Sequence, residues 1–225
     1  MKWKVNVLSQ CVVYILFSLF LFESGSSGER ITKYDLETPS DDYIQLLQKR
    51  KSTRNFTTKP INSQQLSYLL YAANALMPNG SRTAPSARAV YPIDIYVFIQ
   101  NVTGFEKGIY FYNPRYHYLQ KVKTGDFISV LAAACNHQPA VSKAAVVISL
   151  IYVASRFKQR YGERGVHFAA LEAGHISQNF LLAATKLNLG ALPVGGFDNG
   201  KILSILGLSI QKKATLYLNL AGSIQ

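Results

Sequence analysis

The sequence predicts one mixed α+β domain with a central, mostly antiparallel sheet flanked by helices. Three stretches carry that expectation. Ile93, Ile95, Val97 and Ile99 alternate with Asp94, Tyr96 and Phe98, the period of a strand. Residues 144–152 form a continuous apolar run, the mark of a strand covered on both faces. Residues 167–187 are rich in Ala, Leu and other strong helix formers and are long enough for several turns. With 225 residues, the chain has room for one domain of ordinary size.

Taken in order, residues 29–40 read as a polar lead-in. Ser40 is expected to cap a helix from Asp41, with Asp41 and Asp42 placing negative charge in its first turn. Pro60-Ile-Asn-Ser63 opens a second helix, along which Leu66, Leu69, Leu70 and Ala73 follow the helical period. Residues 77–88, rich in Pro, Gly and Ser, form a loop. After the alternating strand, residues 109–112 and 116–122 pair as a hairpin across Asn113-Pro114-Arg115. A short helix is expected at 126–135. Gly190 stands where the long helix should stop, and Leu192–Phe197 reads as an apolar turn. Asp198 caps a short helix through Leu206, and residues 215–220 give the last strand.

The N-terminus has a different character. Lys2 and Lys4 precede an apolar stretch to Phe22, followed by small polar residues to Gly28. Residues 1–28 are expected to be a secretory signal peptide or an uncleaved membrane anchor. Residues 29–225 would then make the domain, either exported (periplasmic or secreted) or tethered through that segment. Membrane contact is expected nowhere else.

Composition narrows the function. Apolar residues make up 48% and charged residues 16%, so the chain can bury a core and is not a disordered polymer. The formal charge is +12, which favours anionic partners. No basic run of five to eight residues occurs, so a nucleic-acid binder is not expected. Cys11 and Cys135 have no metal-site spacing, and the four histidines include no pair at i, i+4. No metal site is expected. The dinucleotide fingerprint, the phosphate loop and the nucleophile elbow are all missing from the sequence.

Three groups of residues suit a flat, anionic cofactor. Arg50, Lys51, Ser52 and Arg54 lie at a helix-to-loop transition, where guanidinium groups and a hydroxyl can hold phosphate oxygens. Taken alone, this could equally be a solvated helix end. Pro85, Ser86 and Ala87 form a small-residue loop that lets a planar ring come close. Pro193, Val194, Gly195 and Gly196 combine an apolar surface with glycine amides; read alone, the first of these two groups is equally an ordinary loop and the second a strand-ending turn.

Five motifs stand in a telling order: Arg50-Lys-Ser-Thr-Arg-Asn-Phe56; Arg82-Thr-Ala-Pro-Ser-Ala87 with Tyr91-Pro92; Tyr161-Gly-Glu-Arg164; Leu171-Glu-Ala-Gly-His175 with Gln178-Asn179; and Gly190-Ala-Leu-Pro-Val-Gly-Gly-Phe-Asp198. In this the chain resembles the FMN-dependent nitroreductase family, specifically its SagB/ThcOx-type dehydrogenase branch, over residues 41–222. The resemblance implies an α+β homodimer with FMN at the subunit interface. It implies transfer of a hydride or electron pair through flavin N5, using NAD(P)H or an unknown small-molecule or peptide substrate. It assigns Arg50, Lys51, Ser52 and Arg54 to the ribityl phosphate and ring edge. It assigns Pro85, Ser86 and Ala87 to the isoalloxazine, and Pro193, Val194, Gly195 and Gly196 to the neighbourhood of N5. Because the flavin carries the chemistry, no side-chain nucleophile is required.

Three departures qualify the likeness. Arg88 stands where the branch usually has glycine after Pro-Ser-Ala. Arg160-Tyr161 stands where azoline-oxidising members have Lys-Tyr; arginine cannot serve as a base, which leaves Tyr161 as the candidate proton donor. The family's C-terminal cation is missing from Ala221–Gln225. The alternative these suggest is a flavin-fold protein that acts as a binding or assembly partner without redox turnover.

Overall fold

The computed structural model describes residues 35–225. The segment read as a signal peptide or anchor lies outside the described residues. Among the described residues no helix is long and apolar enough to cross a membrane. Residues 35–39 are exposed and without regular structure, and the folded unit runs from Ser40 to Gln225.

Helix α1 (Asp42–Lys49) is capped one residue later than expected. The side chain of Asp41, not Ser40, accepts from the amide of Ile44 at 2.8 Å. Helix α2 (Ser63–Asn74) opens with a capping box: Asn62 accepts from the Gln65 amide while the Gln65 side chain accepts from the Asn62 amide. Each such cap is worth about 1 kcal/mol because it satisfies amides the helix itself leaves unpaired.

Strands β1 (Ile93–Ile99), β2 (Gly108–Asn113) and β3 (Tyr118–Thr124) follow as a meander. Helices α3 (Ile128–Ala134) and α4 (Pro139–Lys143) lead into β4 (Val146–Val153). Then come α5 (Ala154–Tyr161), the long α6 (Gly165–Lys186), β5 (Gly190–Val194), α7 (Asn199–Leu206) and β6 (Lys213–Gly222). The six strands lie in the order β3-β2-β1-β4-β6-β5, and every pairing is antiparallel. The expected fold class is therefore the observed one.

The alternation in β1 sorts its residues between two cores. Ile93, Ile95, Val97 and Ile99 pack with Leu66, Leu70, Ile176 and Phe180 of α2 and α6. Tyr96 and Phe98 pack with Leu131, Val141 and Leu203 of α3, α4 and α7. Both faces of the sheet are covered, which is why all seven β1 residues are buried. Asp94 is accommodated there by ion pairs to Arg156 at 2.7 Å and Lys213 at 3.4 Å.

Two sequence expectations are corrected. Gly190 does not close the long helix. The helix stops at Lys186 with Asn188 in the left-handed region at φ 54°, and Gly190 is the first residue of β5. Likewise Leu192–Val194 is strand rather than turn, and only Gly195 onward leaves the sheet. Pro193 fits because β5 is an edge strand, where a missing amide costs no ladder bond. Helices α4 and α5 were not legible as elements at all: α4 has only five residues, too few for a period to show.

Candidate functional site

The Arg50–Arg54 segment leaves α1 and lies along the outer edge of β5. Ser52 forms a parallel bridge to Ala191, and the Thr53 amide donates to the Ala191 carbonyl at 2.8 Å. Close fit at this seam depends on Gly190. A Cβ there would stand 2.5 Å from Cγ2 of Ile224 and 2.8 Å from Cγ2 of Thr53. Arg50 is half-buried, while Lys51, Ser52 and Arg54 are exposed. Among the described residues, no carboxylate forms an ion pair with any of the three cations.

Beyond the bridge, β5 carries Pro193 and Val194 and then releases the chain at Gly195 and Gly196. A strand rise of about 3.3 Å per residue puts Gly195 roughly 13 Å along from Ala191. Both glycines are exposed. A Cβ on Gly195 would come no nearer than 3.8 Å to another residue, and one on Gly196 no nearer than 4.0 Å. The chain's own packing does not require glycine at either place.

Pro85, Ser86 and Ala87 belong to a different part of the molecule. Their loop is held against α6, where His175 Nδ1 bonds the Pro85 carbonyl at 3.3 Å and Asn179 donates to the Thr83 carbonyl at 3.2 Å. Inside the loop the Tyr91 amide donates to Ser86 Oγ at 2.9 Å, and the Tyr91 hydroxyl accepts from the Arg82 amide at 3.1 Å. The turn is tight and strained. Arg88, Ala89 and Tyr91 all sit in the left-handed region, with φ of 53°, 54° and 54°, a cost that clusters at functional segments. Among the described residues, no hydrogen bond joins this loop to Arg50–Arg54 or to Pro193–Gly196.

Beneath the loop lies Glu172 of α6, a residue that sequence reasoning quoted but gave no role. It is 1% exposed, and neither carboxyl oxygen completes a hydrogen bond. Burial pushes its carboxyl up to about 7, against the pull of the Arg82 and Arg156 guanidiniums toward the ionised form. Burial also lowers the Arg82 guanidinium from its ordinary value, with Glu172 the largest opposing influence. Tyr161, the candidate proton donor, is half-buried between Phe157 and Phe168, with ring centroids 4.9 Å and 4.7 Å away. His167 and His175 are both exposed on α6. Among the described residues no cluster of His, Cys, Asp or Glu could hold a metal.

The sequence pattern of the nitroreductase family matches residues 47–222, which takes in all three residue groups. The chain belongs to the nitroreductase family. Its family relatives include MJ1384 of Methanocaldococcus jannaschii, a protein that carries a nitroreductase name. The two are 35% identical over 176 residues, covering 76% of this chain and 89% of the relative. A more distant relative is the microcin B17-processing protein McbC of Escherichia coli. It is 26% identical over 150 residues, and the match spans 64% of this chain and 54% of McbC. Among solved structures, a Ralstonia eutropha protein described as a nitroreductase superposes with a TM-score of 0.72 at 26% identity, covering 86% of this chain and 88% of its own. The E. coli microcin synthetase McbBCD complex, solved with truncated pro-MccB17, shares the fold at a TM-score of 0.73 and 20% identity, over 100% of this chain and 84% of that one. A Desulfovibrio desulfuricans nitroreductase in complex with FMN shares it at 0.59 and 20%, over 82% of this chain and 87% of its own.

Proposed function

We propose that this nitroreductase-family protein is a SagB-type dehydrogenase. It would pass a hydride or electron pair through flavin N5 between NAD(P)H, or another donor, and a small-molecule or peptide substrate. At the coarser level, the chain is an FMN-dependent oxidoreductase by family. The finer assignment draws on the motif order and on the likeness to McbC.

The observation that carries the reading is the Ser52–Ala191 bridge. It sets three cations without carboxylate partners beside the strand that ends in two glycines with open space around them. That arrangement fits FMN. Arg50, Lys51, Ser52 and Arg54 would hold its phosphate and ring edge by charge-assisted bonds. Gly195 and Gly196 would offer backbone amides at close range, and Pro193 and Val194 an apolar wall. When bound, FMN supplies two-electron redox chemistry. The protein's own part is to bind, to orient, and to place positive charge where negative charge accumulates. Pro85, Ser86 and Ala87 reach the same ring if a second copy of the chain supplies them, so the assembly we propose is a homodimer with the cofactor at the interface. Tyr161 would donate a proton to substrate.

The test is a visible spectrum of the purified protein, before and after anaerobic addition of NADH or NADPH. A flavin band that bleaches with either nucleotide supports the reading. Colourless protein that takes up no added FMN overturns it. A second reading, a flavin-fold partner without turnover, draws on the left-handed Arg88 at the place where the branch has glycine. Bound flavin that no nucleotide bleaches would favour that reading. For localisation we propose export or N-terminal anchoring, and sequencing the mature N-terminus distinguishes the two.

A further inference from the structure

Behind the loop that carries Pro85–Ala87 is a cavity of about 290 Å³. The end of α2, the start of β1 and the β2–β3 turn enclose it. Three guanidinium groups line it, from Arg82, Arg115 and Arg156, against one carboxylate, Asp94. That carboxylate is already engaged by Arg156 and Lys213. Arg82 and Arg115 make no ion pair among the described residues. Glu172, outside the lining, also acts on Arg82, yet the three guanidiniums still outnumber the two carboxyl groups, so the cavity carries net positive charge.

A second observation is independent of charge. Asn74, the last residue of α2, also lines the cavity and is 1% exposed. Both its amide nitrogen and its amide oxygen lack a partner, as does Nη1 of Arg82. Buried polar groups left unmet are rare because each keeps the full cost of losing water. Three such atoms at one cavity wall mark a place where a bound group would complete the bonding. The Arg82 guanidinium carbon also lies 4.4 Å from the centroid of the Tyr91 ring. Apart from Asn113, the rest of the lining is apolar or aromatic, including Ile93, Ile95 and Phe111.

We propose that this cavity binds a small organic carboxylate. A planar anion matches the guanidinium fork, and an apolar body matches the walls. The volume falls at the lower end of the range for small-ligand sites, roughly 300 Å³ and upward, which limits the guest to about the size of benzoate. Arg82 and Arg115 would take the charge, and Asn74 would move its amide onto the same group. The site is separate from the cations of the Arg50–Arg54 segment and does not depend on the redox assignment.

The test is titration of the full-length protein, with whatever flavin it retains, by calorimetry and thermal shift. The probes are benzoate, its neutral isostere benzamide, and inorganic phosphate. Benzoate should bind at least tenfold more tightly than the other two and raise the melting temperature. Arg115→Ala, in an exposed turn, should weaken benzoate about tenfold while leaving flavin content unchanged. Asn74→Leu should abolish benzoate binding without lowering thermal stability. Should Asn74→Leu fail to fold, Arg115→Ala decides alone. Equal affinity for benzoate and benzamide, phosphate binding as tight as benzoate, or unchanged benzoate affinity in Arg115→Ala would each overturn the proposal and leave a merely hydrated void.

Discussion

Thr53 donates its backbone amide to the Ala191 carbonyl at 2.8 Å. This one bond ties two motifs that lie far apart in the sequence into one surface. It makes the cationic segment a near-continuation of the sheet rather than a loose connection after α1. Side chains set on such a rigid edge would lose little freedom on closing over a ligand.

Replacing either Arg50 or Arg54 by alanine should weaken FMN retention. A charge-assisted bond is worth about 1.5–3 kcal/mol, so the dissociation constant should rise roughly tenfold to a hundredfold. Flavin release from each variant, followed by fluorescence, measures this. Unchanged affinity in both would place the cofactor elsewhere.

Gly190→Ala should disturb the same surface from below. Its Cβ would meet Thr53 and Ile224 at 2.8 Å and 2.5 Å, and overpacking of this kind costs about 1–3 kcal/mol. A melting temperature lower by several degrees, together with weaker flavin binding, is the expected result.

Gly195→Ala separates folding from binding. Its chain neighbours aside, no residue comes nearer than 3.8 Å to the added carbon, so stability should stay within about 0.5 kcal/mol of the parent. Flavin affinity should nevertheless fall. Equal affinity would mean that no ligand approaches this turn.

The buried carboxyl of Glu172 predicts a pH dependence. In the fold it titrates at about 7, above its usual 4.5. Below about 4.5 both folded and unfolded chains are protonated, and the group contributes nothing. As pH rises from there to about 7, the unfolded chain releases a proton that the fold retains, so stability falls and then levels off. The interval corresponds to roughly 3 kcal/mol. Glu172→Gln should match the parent near pH 4, exceed it at pH 8, and flatten the profile between. Urea denaturation across that range tests the expectation, and parallel curves for the two proteins would contradict it.

Arg88→Gly should stabilise the loop. A side chain in the left-handed region costs about 1 kcal/mol, which glycine avoids. The melting temperature should rise by about 2–4 °C, and a fall would show that Arg88 makes a compensating contact.

Much of this architecture was legible in the residues. Periodicity located β1, α2 and the core of α6, because each keeps one type of contact over several turns or pleats. Motif order pointed to the segments at 50–54, 85–87 and 193–196, and the fold sets the first of these along the strand that leads into the third. The end of α6 was misread because Asn188 adopts the left-handed turn that glycine usually provides, which freed Gly190 to serve the seam with Thr53. Pro193-Val-Gly-Gly looked like a turn, since proline and paired glycines break structure in most settings. An edge strand tolerates that proline. The role of Glu172 was hidden for another reason. A glutamate in a helical run looks solvated, and only the packing of the loop above it shows that water is excluded.

The two rims of the sheet differ in kind. At one, β3 is largely exposed and carries Lys121 and Lys123, charges of the sort that discourage a foreign strand from docking. At the other, residues 52 and 53 already occupy the hydrogen-bonding edge beside Ala191. Addition of a foreign strand is thus opposed at both rims, so the six-stranded sheet does not offer an open edge along which copies could polymerise.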